Sequence, residues 1–212
     1  MATRTYINRD LSVLKQVLES IGFFDSVEYD DAQSPTKIVL KDADNNTLAE
    51  MTLNGITVYV SASESKAVTF SGTRTQAIVA YWCGNGALIT YEEDASNPYH
   101  AYVMISKTND DKAAFVFSGT VENPRSKALC TLYCIAWGDD APIAKYENLA
   151  ATAHRQIVLM PFPTNSPASH TVSAFFTSFG SFYTNEYIEF TLNGENYFTN
   201  GYWAIKDDEV TA

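Results

Sequence analysis

The chain is short of positive charge. Its 212 residues carry 14 Lys and Arg against 25 Asp and Glu, a net charge of −11, and nowhere do the basic residues cluster. Affinity for nucleic acid needs grouped Lys and Arg to displace phosphate counterions, so nucleic acid is excluded as a partner. Long hydrophobic runs are also missing. The longest, AIVAYWC (77–83), is far too short to span a bilayer, and the opening MATRTYINRDLS has no apolar core of a signal peptide. The expectation is a protein without membrane insertion, synthesised in a cytoplasm. Cysteine is scarce: the three cannot all pair internally. Cys130 and Cys134 fall on one extended segment with Cα atoms about 13 Å apart, beyond disulfide reach. His100, His154 and His170 are scattered, so no ligand spacing for zinc arises.

Catalytic frames are absent too. There is no G-x-S-x-G elbow, no G-x-x-x-x-G-K-[ST] phosphate loop and no G-x-G-x-x-G between a strand and a helix. Carboxylates cluster at Asp30-Asp31, Glu92-Glu93-Asp94, Asp110-Asp111, Asp139-Asp140 and Asp207-Asp208-Glu209. All stand in turns or at strand ends, where solvated loop charges are expected rather than a facing glycosidase pair. Asp42, Asp44 and Asn46 have the spacing of a calcium loop. However, Thr47 stands where the sharp turn needs Gly, and Leu53 where the bidentate Glu belongs. The expectation is therefore no metal, no cofactor and no enzyme.

What the chain has in quantity is strand-forming sequence: 46% of residues are hydrophobic and 13% aromatic. The stretch from Gln76 to Gly119 reads as an antiparallel meander of four strands: AIVAYWC, ALITYEE, HAYVMISKT and AAFVFSG, separated by Gly-, Asn- and Asp-rich breaks. Before it, Asp10 is placed to cap a helix whose apolar residues Leu11, Leu14, Leu18 and Ile21 recur at helical spacing, with Val17 beside them and Gly22 as a stop. The helix stripe needs a cover, either its own following sheet or a neighbouring subunit. TKIVLKD and TLAEMTL form a hairpin about ADNN. In GITVYVSAS, Ile56, Val58 and Val60 line one face and Thr57, Tyr59 and Ser61 the other.

After the meander, KALCTLYCIAW (127–137) is apolar on both faces, as a strand between two layers or at an interface would be. From Gly138 to His154 β-propensity drops, with a helical turn or two expected around Lys145 to Thr152. RQIVLMPFP is a strand ended by Pro161 and Pro163. Last, Ile188, Phe190 and Leu192 alternate with Glu189 and Thr191 up to the turn Asn193-Gly194, and the chain returns through NYFTNGYWAIKDD, a hairpin.

The fold expectation is a mainly β protein, an antiparallel sandwich or barrel-like core with one short N-terminal α-helix. Three regions follow: 1–137, helix plus meander; 138–154, a crossing segment; and 155–212, the C-terminal hairpin region, packed into the same domain or apart from it.

Aromatic residues supply the contact candidates. Tyr99, His100 and Tyr102 follow a polar loop, and Tyr197, Tyr202 and Trp203 gather near the last hairpin. Either group could stack on a sugar ring or anchor a partner.

The run NGITVYVSAS, the unit GNGALITYEE…YHAYVMISKTNDDKAAFVFSG and the ending IEFTLNGENYFTNGYWAIKDD resemble segments of small β-rich structural proteins of tailed bacteriophages and prophages of gut bacteria. The resemblance covers Asn54 to Gly119 and the last twenty-odd residues. It implies a non-enzymatic virion subunit of the tail, baseplate or neck. Such a subunit is made in the bacterial cytoplasm and acts by assembling with itself, as a homo-oligomer, and with other virion proteins. The alternative is a receptor-recognition module that binds host surface glycans through the aromatics named above.

Overall fold

A computed structural model describes residues 2–69, 78–91, 101–107, 112–121, 130–137, 142–146, 156–157, 174–178, 188–192, 194–199 and 203–207. In chain order the elements are β1 (Thr3–Tyr6), α1 (Leu11–Ser20), β2 (Ser26–Tyr29), β3 (Ile38–Lys41), β4 (Thr47–Thr52), β5 (Gly55–Ser61) and β6 (Glu64–Thr69). Then come β7 (Ile78–Cys83), β8 (Gly86–Tyr91), β9 (Ala101–Lys107), β10 (Ala113–Val121), β11 (Cys130–Trp137) and β12 (Pro142–Tyr146). The last five are β13 (Gln156–Ile157), β14 (Ala174–Ser178), β15 (Ile188–Leu192), β16 (Glu195–Thr199) and β17 (Trp203–Lys206). They form three antiparallel sheets, ordered β2-β3-β4-β5-β6, β1-β7-β8-β9-β10-β11-β12 and β13-β14-β17-β16-β15. Among the described residues each sheet runs between two edge strands and α1 is the single helix, so the mainly β architecture is sandwich-like.

The helix starts where expected. The Asp10 carboxylate accepts from the Ser12 N–H at 2.8 Å and from the Ser12 hydroxyl at 2.6 Å, satisfying donors that the first turn leaves open. Lys15 pairs with Glu19 one turn on. Leu14, Val17 and Leu18 are buried, and they share one core cluster with Leu40, Met51, Val58, Ile89, Ile105 and Phe115. The helix therefore covers its own subunit's sheets.

Period-two alternation orders the five-stranded sheet. Ile38 stands opposite Met51, Ala49 opposite Val58 and Met51 opposite Ile56, all facing the core. The other face is polar and tied by ion pairs, Lys37 to Glu50 at 2.7 Å and Lys41 to Glu28 at 2.8 Å. The split of Ile56 and Val58 from Thr57 and Tyr59 is the one read from the sequence.

The loop between β2 and β3 is organised by two carboxylates. Asp30 accepts from the Thr36 hydroxyl at 2.5 Å, the Thr36 N–H at 2.9 Å and the Lys37 N–H at 3.0 Å. Asp31 accepts from the N–H groups of Gln33 and Ser34. The Thr36 hydroxyl and then the two N–H groups hold the Asp30 carboxyl well below the usual carboxylate range. Its folded pKa lies under the unfolded one. The stabilisation is thus complete above about pH 4 and is lost as pH falls through the folded value. In urea titrations the unfolding midpoint of Asp30→Ala should therefore fall less than the parent's between about pH 5 and about pH 2. Parallel falls would remove Asp30 from the acid response.

The seven-stranded sheet is central because both of its faces are buried. Ile78, Ala80, Ile89, Val103, Ile105, Phe115 and Phe117 face the core shared with the helix and the five-stranded sheet. On the opposite face Val79, Tyr81, Leu88, Met104 and Val116 are equally buried. Near-continuous apolar strands are what a sheet covered on both sides requires. The third sheet meets this layer at the β7–β8 turn: the Lys206 carbonyl accepts from Asn85 Nδ2 at 3.2 Å and from the Cys83 thiol at 3.5 Å. Phe198, Ala204 and Ile205 are buried in that sheet.

Two features depart from the sequence reading. Residues 3–6, not read as a strand, form the edge strand β1 on β7, secured by Trp82 Nε1 donating to Thr5 Oγ1 at 3.0 Å. Within 138–154, residues 142–146 are strand β12, paired with β11, so Lys145 is extended where a helical turn was expected. The tertiary pairing edge of β11 outweighs the weak local propensity there. Residues 147–155, the prolines after β13 and much of the Phe-rich segment lie outside the described residues.

Candidate functional site

Among the described residues a cleft of about 710 Å³ lies between the β3–β4 turn, the β5–β6 turn, the start of β10 and the end of β11. Phe23, Tyr59 and Trp137 line it together with Asp25, Asp44 and Lys112. Phe23 comes from the segment after the helix, its ring 5.1 Å from Phe24, which in turn stacks on the buried Phe115 at 6.1 Å. Tyr59 is carried by β5, and burial followed by a hydrogen bond with Glu50 pushes its hydroxyl pKa up. Trp137 ends β11, half-buried. These residues lie far apart in the chain, and only the stacking of turns at one end of two sheets brings them together. No local signal in the sequence joins them.

The residues that looked like a calcium loop form one wall of this cleft, and two of them, Asp42 and Asn46, bond to each other across their own turn. Asp42 Oδ1 accepts from the Asn46 N–H at 2.7 Å and Oδ2 from Asn46 Nδ2 at 3.0 Å, while Asn45 adopts φ 65°. A short polar side chain tolerates that left-handed conformation. Leu53, where a calcium loop would need Glu, packs against the core. Among the described residues, no group of three or more His, Cys, Asp or Glu is placed to hold a metal.

Of the aromatic contact candidates, Tyr99, His100 and Tyr202 lie outside the described residues. Tyr102 is on β9 of the central sheet, opposite Thr90, whereas Trp203 is on β17 of the third sheet, opposite Phe176. Tyr197 is on β16, half-buried, its ring stacked on Phe190 at 5.5 Å. Tyr102 thus belongs to a different sheet from Tyr197 and Trp203.

One carboxylate departs from the solvated-turn reading. Asp207 is 6% exposed at the end of β17, and its N–H donates to the Asn196 carbonyl at 2.8 Å. It is a buried strand-end residue, held there by the ladder with β16 that continues past Lys206. Among the described residues, no helix is long and apolar enough to cross a membrane. No family model, curated protein or solved structure matches this chain.

Proposed function

We propose that the chain is a non-enzymatic structural subunit of a tailed-bacteriophage virion, of the tail, baseplate or neck, and that it acts by oligomeric assembly. The sequence resemblance of Asn54–Gly119 and the C-terminal residues supplies the virion. The observation that supports assembly is the set of open sheet edges. Among the described residues, all three sheets end in strands with a partner on one side only, and an unpaired row of backbone N–H and C=O groups is a template for another chain. The ion-paired outer face of the five-stranded sheet suits water better than an interface core.

The test is the mass of the purified protein in solution, by light scattering over a range of concentrations at high and low salt. A stable trimer, hexamer or larger ring is the expected result. A monomer throughout would count against self-assembly and turn attention to the cleft, whose aromatic rings and carboxylates have the chemistry of a saccharide site.

A further inference from the structure

Strand β1 ends the seven-stranded sheet and pairs on one side only, with β7. Its other edge stands clear. Among the described residues, Thr3, Arg4, Thr5 and Tyr6 have no polar partner other than β7, the Trp82 indole that donates to Thr5, and the rings beside Arg4. Thr3 and Arg4 are exposed, and Tyr6 is 50% exposed, a large aromatic side chain left to water. The chain that follows leaves this edge. Asn8 and Arg9 take left-handed φ values of 47° and 61°, the Asp10 N–H donates to the Ile7 carbonyl at 2.8 Å, and α1 then packs on the core face.

The direction of the backbone groups follows from the register. The Ile7 N–H donates to the Ile78 carbonyl at 2.7 Å, and Ile78 comes opposite Ile7 when the pairing of Tyr6 with Val79 is carried one step on. Opposite residues in an antiparallel pair alternate between exchanging both hydrogen bonds and exchanging neither, so Ile7, Thr5 and Thr3 point theirs toward β7. Arg4 and Tyr6 therefore direct their N–H and C=O groups to the open edge. Their side chains share the face of Tyr81: Arg4 Cζ lies 4.7 Å from the centre of the Tyr6 ring and 5.5 Å from that of Tyr81. Among the described residues, no carboxylate pairs with Arg4.

Resting on the assembly reading, we propose that β1 pairs with β1 of a second copy about a two-fold axis through Thr5. Arg4 then faces the second copy's Tyr6, and each such pair exchanges both backbone hydrogen bonds, four in all across the two-fold. An axis through Arg4 would set two guanidinium groups opposite one another. An axis through Tyr6 would carry Arg4 past the end of the second copy's strand, opposite its turn at Asn8. Only the Thr5 register uses every outward group and keeps the cations from facing each other. It gives each Arg4 a further aromatic ring, and it is self-complementary, as an isologous contact requires. Two seven-stranded sheets become one continuous sheet.

The experiment joins analytical ultracentrifugation of the full chain to disulfide trapping. In this register Thr5 and the second copy's Thr5 are a non-hydrogen-bonded pair with Cα atoms about 4.5 Å apart, within disulfide range, whereas the two Thr3 residues are roughly 14 Å apart. Thr5→Cys should therefore cross-link under oxidised glutathione and Thr3→Cys should not, each measured beside the parent, whose own three cysteines set the background. Tyr6→Arg sets two guanidinium groups opposite one another twice per interface and should weaken the dimer constant roughly tenfold. Adding Arg4→Glu turns both repulsions into attractions and should restore it, which separates pairing from damage to β1 itself. An associating parent whose Thr5→Cys variant links no faster than Thr3→Cys, or whose association ignores Tyr6→Arg or is not restored by Arg4→Glu, overturns the β1 pairing and leaves the assembly reading standing. A parent that is monomeric throughout overturns the pairing along with self-assembly.

Discussion

Gly86→Ala lowers the stability of this protein by roughly 3 kcal/mol or more, the sum of a strained backbone and an overpacked contact. Gly86 opens β8 at φ +149°, a conformation that L side chains rarely adopt. A Cβ there would stand 2.1 Å from the Ile105 carbonyl oxygen and 3.0 Å from the Ser106 Cα. Those are backbone atoms of the neighbouring strand β9, in the middle of the sheet buried on both faces, and they cannot yield by changing rotamer. Gly194 is the matched control. It too has positive φ, +83°, in the β15–β16 turn, but a Cβ there meets nothing within 4 Å. Gly194→Ala then carries the conformational cost alone, about 1 kcal/mol. Urea unfolding of the two variants side by side gives the comparison. Equal midpoints would show that the close approach of β8 to β9 is not rigid.

Truncating Phe115 to alanine costs about 3–5 kcal/mol, the range for removing a buried aromatic ring and leaving its space partly unfilled. Phe115 is fully buried near the start of β10, between Ile105 on β9 and Ile135 on β11. Its ring stacks on Phe24, and it belongs to the cluster that joins the helix, the five-stranded sheet and the central sheet. A cavity there loosens three elements at once. Phe115→Leu keeps most of the volume and costs less, about 1–2 kcal/mol. A thermal or chemical unfolding curve for Phe115→Ala within 1 kcal/mol of the parent would place the core elsewhere.

The parts of this fold that were legible in the sequence are those fixed locally. Asp10 caps the helix because the donors it satisfies are two residues away. The hairpins show because Gly and Asn mark their turns, and the meander shows because each strand pairs with the next. The double burial of the central sheet was half legible: the two-sided apolarity of KALCTLYCIAW pointed to an inner layer or an interface, yet nothing local said that the third sheet would approach at the β7–β8 turn. β1 was missed because four residues of mixed polarity have no periodicity long enough to register, and their strand character comes from β7. β12 was missed for a related reason, since PIAKY has weak propensity and is extended by its pairing with β11. Asp207 stands beside Asp208 and Glu209 and looked like part of a solvated acidic end, whereas the ladder to Asn196 draws it inside. The cleft was illegible altogether. Phe23, Tyr59 and Trp137 converge only after sheets stack, and the aromatics that looked eligible from spacing alone are placed on different sheets or lie outside the described residues.

The position of β1 has a consequence for how the chain reaches this structure. Its partner β7 lies about seventy residues downstream, so pairing the two closes a loop that holds the helix and the entire five-stranded sheet. The intervening strands pair only with their sequence neighbours and can form early, whereas β1 has to wait for β7 to be synthesised and for the sheet between them to condense. Until then β7 shows a bare apolar edge on the nascent protein. Thr3–Tyr6 thus act as a late seal, and the interval before they dock is when newly made chains are most exposed to pairing with one another.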